Sequence, residues 1–220
     1  MRIFLVSLLL SAAMGPVSAF AGPVKILALG DSYTVGQGVT EQESWPVQLK
    51  ERLKQSGSSV ASVDIIAHTG WTSRDLLSAV KKSNLENNYD VVLILIGAND
   101  QFQGRPVSEY ARDLNMLVGK AIVFTKNRPS HVILVSVPDW AFSPHAAGWD
   151  QKEISSQINA FNQAAKNLAD AASLRWVNIT DLSRQITDSP SFVNDGLHPT
   201  AETYAAWVDI ILPLVQDITE

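Results

Sequence analysis

Five residues scattered along this 220-residue chain have the types needed to break an acyl bond. Ser32 stands in Gly30-Asp31-Ser32, Gly70 in Thr69-Gly70-Trp71-Thr72, and Asn99 in Gly97-Ala98-Asn99-Asp100. Asp195 and His198 share Asp195-Gly196-Leu197-His198-Pro199. Acyl transfer uses a hydroxyl nucleophile, an imidazole base, a carboxylate and hydrogen-bond donors for the oxygen that becomes negative. Each fragment alone is an ordinary turn, since short motifs recur by accident. Their meaning depends on whether the fold brings them to one place.

The elements between them predict that it does. Val24 to Gly30 is a short apolar run closed by turn residues, which reads as a buried strand with Ser32 just past its carboxyl end. Further strands are predicted at 60–67, 90–96, 131–137 and 175–179. The third is apolar without alternation and should lie centrally, buried on both faces. Helices are predicted at 44–56, from Thr72 onward with Asp75 completing a capping box, at 108–125, at 151–172, and from Pro199 to about Leu212 before Pro213. Residues 33–43 and 186–194 read as loops, as does 139–150. Alternating strands and helices imply a parallel sheet covered on both faces. All carboxyl ends of such a sheet share one edge, so the polar fragments can converge there.

Bulk properties set limits. The length suits a single domain over residues 22–220 after a removable leader. Residues 1–21 read as a signal peptide: Arg2 gives the positive start, Ile3 to Ala13 the apolar centre, and Ala19-Phe20-Ala21 a small-x-small cleavage site, with Val17-Ser18-Ala19 as competitor. Processing near Ala19 or Ala21 would release the protein to a bacterial periplasm or medium, with no integral membrane span remaining. A net charge of −5 without a basic cluster argues against nucleic acid as partner. The absence of cysteine excludes disulfides, thiolate zinc sites and a cysteine nucleophile.

Taken in order, the four polar blocks resemble those of the SGNH (GDSL-like) hydrolases, and the likeness spans nearly the whole mature chain. The resemblance implies a flavodoxin-like three-layer α/β/α sandwich with a five-stranded parallel sheet, acting on a small ester substrate with no metal or cofactor. It also implies roles. Ser32 Oγ would attack the ester carbonyl, His198 would carry the proton, and Asp195 would orient the histidine. The Ser32 and Gly70 N–H groups and the Asn99 carboxamide would form the oxyanion hole. Lysophospholipids, short acyl esters, thioesters and acetylated sugars are substrates such an enzyme could take. The family's second block often carries an asparagine before its glycine, where this chain has His68-Thr69.

Rival readings are a carbohydrate O-acetyl esterase of the same fold, a flavodoxin-like flavin- or nucleotide-binding module, and a catalytically silent binding domain. Asp31 would repel a phosphate after the first strand, and Gly36-Gln37-Gly38 lacks the third glycine of a dinucleotide loop. Trp140, Phe142 and Trp149 on one loop are expected to wall the substrate site. Asp31 is expected to hold its turn through side-chain bonds to backbone. His68 borders the predicted site, His131 is expected to be structural, and His145 is expected to be a surface residue.

Overall fold

The computed structural model describes residues 22–187 and 189–219. The predicted leader therefore lies outside the described residues. Five parallel strands form one sheet: β1 (Val24–Gly30), β2 (Val60–Ala67), β3 (Val91–Leu95), β4 (Val132–Val135) and β5 (Arg175–Val177). Their spatial order is β2-β1-β3-β4-β5, with every neighbouring pair parallel. β3 is central and buried throughout, as its unbroken apolar run requires.

The pleat sends alternate side chains to two cores. Ile26, Ala28, Val91, Leu93, Ile133 and Val177 pack with Trp45, Leu49 and Leu53 of α2 (Trp45–Gln55) and with the last helix. Leu27, Leu29, Val92, Ile94 and Leu134 pack on the other face. There they meet α3 (Ser73–Lys82), a long helix at Val107–Phe124, and Phe161, Ala165 and Ala169 of a helix at Gln151–Ala171. The result is the three-layer α/β/α sandwich.

Two local expectations need correction, and one short helix has no sequence signal. Residues 33–43 are not all loop, because α1 (Ser32–Val35) forms a single turn. Asp31 nucleates it by accepting the Tyr33 N–H at 3.0 Å, and four residues are too few to display helical periodicity. A second short helix, α4 (Ala98–Phe102), follows β3 and escapes the sequence pattern for the same reason of length. It is followed by α5 (Val107–Phe124) and α6 (Gln151–Ala171), then α7 (Thr180–Ser183).

The last helix, α8 (Ala201–Thr219), does not stop before Pro213 but runs through it. An internal proline costs about 3 kcal/mol. Val215, beyond it, is fully buried, and Ile218 packs against the same core. Burying one such side chain returns about 1.5–3 kcal/mol, enough to offset the break.

Candidate active site

The site begins with a tight turn from strand to helix. A Cβ on Gly30 would stand 2.1 Å from Thr34 Oγ1 and 2.6 Å from the Leu95 carbonyl oxygen, so only glycine lets the chain turn here. Ser32 is thereby the first residue of α1, and its N–H has no intrahelical acceptor. Its side chain is nearly buried.

His198 reaches it from the far end of the chain. Nε2 of His198 lies 2.9 Å from Ser32 Oγ, and Nδ1 lies 2.6 Å from Asp195 Oδ2. Asp195 works through both oxygens: Oδ1 accepts the N–H groups of Leu197 at 2.8 Å and His198 at 2.9 Å. One carboxylate thus shapes the turn and orients the ring. Partial burial would raise its pKa, but the two backbone donors and the His198 ring outweigh that and hold it below the usual carboxylate value. The His198 ring rests against Tyr33, with centroids 5.3 Å apart.

Asn99 follows β3 on α4 and lines the same cavity as Ser32 and His198. Its Nδ2 donates to the Trp71 carbonyl at 3.1 Å, and the same side chain also interacts with the Asp31 carboxyl. Gly70 precedes Trp71 in the turn after β2, and open space faces its Cα. It is not itself among the cavity's lining residues.

Asp31 is fully buried, with Oδ1 on the Tyr33 N–H and Oδ2 unpaired. Burial chiefly, and the nearby Asp100 charge, push its carboxyl up to about 7 against the pull of backbone N–H groups and of the Asn99 side chain. Asp100 is also fully buried. Its burial raises its pKa despite bonds from Ser73 and Arg105 that oppose the shift.

The cavity holds about 220 Å³ and is mainly apolar, bounded by Tyr33, Ala98, Phe102, Trp140, His145 and Leu197. Of the three aromatic residues expected to wall it, the structure brings one in directly. Trp140 is nearly buried, its Nε1 donating to Gln101 Oε1 at 2.7 Å. Trp149 stands behind it at the rim, half exposed, its ring 5.7 Å from Trp140 and 5.8 Å from Phe102. Phe142 lies apart, in a surface hollow with Gln151, Ser155 and Asn159. The reason is local: Trp140–Phe142 is a 3₁₀ turn, and residues two apart on a three-residue turn point in different directions.

His145 is exposed, as expected, and it also lines the cavity, its ring 6.1 Å from Trp140. Phe102 does not stand out in the sequence; its signal is the spacing of three from Asn99, which on a helix shares a face. His68 is exposed and stacks on Trp71, and His131 bonds the Asp90 carbonyl through Nδ1 at 2.7 Å. A larger hollow, about 440 Å³, opens at the amino edge of the sheet around Lys25, Asp90, Arg128 and His131, away from the serine. No group of three or more metal-ligating side chains occurs among the described residues.

A serine, an imidazole and a carboxylate hydrogen-bonded in series at the carboxyl edge of a parallel sheet are the equipment of an ester hydrolase. The chain belongs to the GDSL-like lipase/acylhydrolase family, whose model matches residues 28–206, and it is a serine carboxylic-ester hydrolase of that type. It is similar to an arylesterase of Vibrio mimicus, 26% identical over 181 residues that make up 81% of each chain. Its fold is similar to that of a lipase/acylhydrolase from Enterococcus faecalis, with a TM-score of 0.72 and 20% identity over 90% of this chain and 97% of the other. A variant of an acetyl-xylooligosaccharide esterase from Geobacillus gives a TM-score of 0.68 at 17% identity, covering 90% and 96%.

Proposed function

We propose that the protein hydrolyses small carboxylic esters through an acyl-enzyme on Ser32. The observation that carries this reading is the series Ser32 Oγ to His198 Nε2 at 2.9 Å and His198 Nδ1 to Asp195 Oδ2 at 2.6 Å. Ser32 Oγ attacks the ester carbonyl while His198 Nε2 accepts its proton. Asp195, kept ionised, holds the imidazole in the tautomer that exposes Nε2 and stabilises the imidazolium that forms. The carbonyl oxygen, now negative, takes hydrogen bonds from the Ser32 N–H, the Gly70 N–H and the Asn99 carboxamide. The tetrahedral intermediate expels the alcohol, which receives its proton from His198. Water then repeats the sequence on the acyl-enzyme, and the acid is released.

The cavity's size supports a short acyl group. Ligand pockets for drug-sized molecules hold about 300–1,000 Å³, and this one holds about 220 Å³. It fits a short acyl group or a single ring better than a long chain, so short acyl and aryl esters rank above lysophospholipids. The aromatic lining and the similarity to an arylesterase support the same ranking.

A second reading is carbohydrate O-acetyl hydrolysis. The half-exposed rings of Phe102 and Trp149 at the rim favour it, because aromatic faces outside an acetyl-sized pocket suit the apolar face of a sugar. Residues 1–21 would direct the enzyme out of the cytoplasm before removal near Ala19 or Ala21, leaving a single mature domain over 22–220.

The test is turnover on p-nitrophenyl esters of rising acyl length, beside acetylated xylan and lysophosphatidylcholine. Activity confined to short acyl groups is expected, and it should vanish in Ser32→Ala. Undiminished hydrolysis by that variant would refute the nucleophile.

A further inference from the structure

The two remote oxyanion donors proposed above sit on strands that do not touch. Gly70 follows β2 and Asn99 follows β3, with β1 between them. Strand spacing alone sets these chain ends about 9–10 Å apart, and the sheet's hydrogen bonds stop before either loop. Their separation must therefore be fixed by contacts between the loops themselves.

Asp100 supplies those contacts. Its Oδ2 accepts the backbone N–H of Ser73 at 2.7 Å, and its Oδ1 accepts the Ser73 hydroxyl at 2.7 Å. Ser73 is the first residue of α3, three positions after Gly70. The neighbouring bond from Asn99 Nδ2 to the Trp71 carbonyl spans the same gap. Arg105 locks the carboxylate from behind: Nη1 binds Asp100 Oδ1 and also reaches Ser73 Oγ at 3.2 Å. Arg105 is held in turn by Asp113 at 2.8 Å and Glu109 at 3.2 Å.

Asp100 and Ser73 are both fully shielded from solvent. A buried ion pair is a poor source of stability, since apolar replacements of similar volume often serve as well. What a charge-assisted, two-oxygen connection does supply is short and directional geometry. We propose that Asp100 and Ser73 form a latch between the two loops that fixes the distance from the Gly70 N–H to the Asn99 carboxamide, making them positioning residues for the oxyanion hole. This rests on the reading of Asn99 as an oxyanion donor.

A double-mutant cycle on the full chain tests it, with kcat and KM measured well below each variant's Tm. Ser73→Ala removes one hydroxyl and should lower kcat about 10- to 100-fold, the scale of an ångström-sized misplacement, with KM held within about threefold because the lost alignment matters in the transition state. In an Asn99→Ala background the same change should cost less than about twofold, because the donor it aligns is already gone. Asp100→Asn, which sets an amide against Arg105 or Ser73, should exceed Ser73→Ala. A Ser73→Ala variant with a lowered Tm and full kcat would overturn the latch, as would an equal loss of kcat in both backgrounds. If Asn99→Ala itself keeps kcat within about twofold, the oxyanion reading fails and takes the latch with it.

Discussion

The backbone N–H of His145 donates to the carbonyl oxygen of Gly196, 2.9 Å away. That one bond joins the aromatic loop to the turn carrying Asp195 and His198. A Cβ at Gly196 would stand 3.2 Å from Pro144 Cβ and 3.4 Å from the His145 nitrogen, at a φ of +68°. Gly196→Ala should therefore destabilise the protein by more than about 1 kcal/mol and also displace the histidine. The expected result is a lowered Tm with a fall in kcat that persists at temperatures where the variant is fully folded. Unchanged kcat in the folded variant would show that the two loops move independently.

Ser32→Ala should abolish turnover and block covalent labelling by a serine-reactive phosphonate. His198→Ala should be nearly as severe, and the double variant little worse than either, because members of one catalytic unit act non-additively. Losses that multiply would show that the two groups act separately.

Asn99→Ala should lower kcat about a hundred- to a thousand-fold, as removal of oxyanion donors does elsewhere. Asn99→Asp is nearly isosteric but turns a donor into a negative charge facing a negative intermediate, so it should be at least as damaging. Near-normal kcat in Asn99→Asp would leave only the backbone amides of Ser32 and Gly70 for that role.

Asp31 offers a test through pH. Burial raises its carboxyl to about 7, so the folded state favours the neutral acid. The stability this group contributes is full below its ordinary value of 3.8 and is lost as pH rises through about 7. Asp31→Asn keeps an oxygen for the Tyr33 N–H and cannot ionise. Its Tm should fall less than wild type between pH 5 and pH 8, and parallel Tm profiles would contradict the assignment.

Trp140→Ala and Phe142→Ala should behave differently although the two residues are neighbours in one turn. Trp140 lines the cavity and binds Gln101, so its loss should shift the ratio of long-acyl to acetyl turnover. Phe142 faces another hollow, and that ratio should stay as in wild type. Equal shifts in both variants would place the acyl group elsewhere.

The fold is legible in the sequence because its signals are long. β1 and β3 are apolar runs ended by glycine, and the helices between strands carry regular stripes such as Leu76, Leu77 and Val80. Ser32, Asn99, Asp195 and His198 are readable because each follows a strand, and parallel strands end on one edge. What escapes is short or tertiary. Four residues of α1 and five of α4 give no period, so Phe102 is invisible as a neighbour of Asn99. Phe142 is misplaced because composition marks a loop as aromatic without saying which way each ring turns. Pro213 reads as a stop because local propensity carries no knowledge of the core that Val215 completes.

Ser32 and His198 are separated by 166 positions, one past the first strand and the other past the last, so the bond between them closes across the whole sheet. Contacts so distant in sequence form late and slowly. Ester hydrolysis is therefore a clock for the completion of folding. During refolding from denaturant, helical signal should return ahead of activity, and the delay between them times the docking of the histidine turn onto an already assembled sheet.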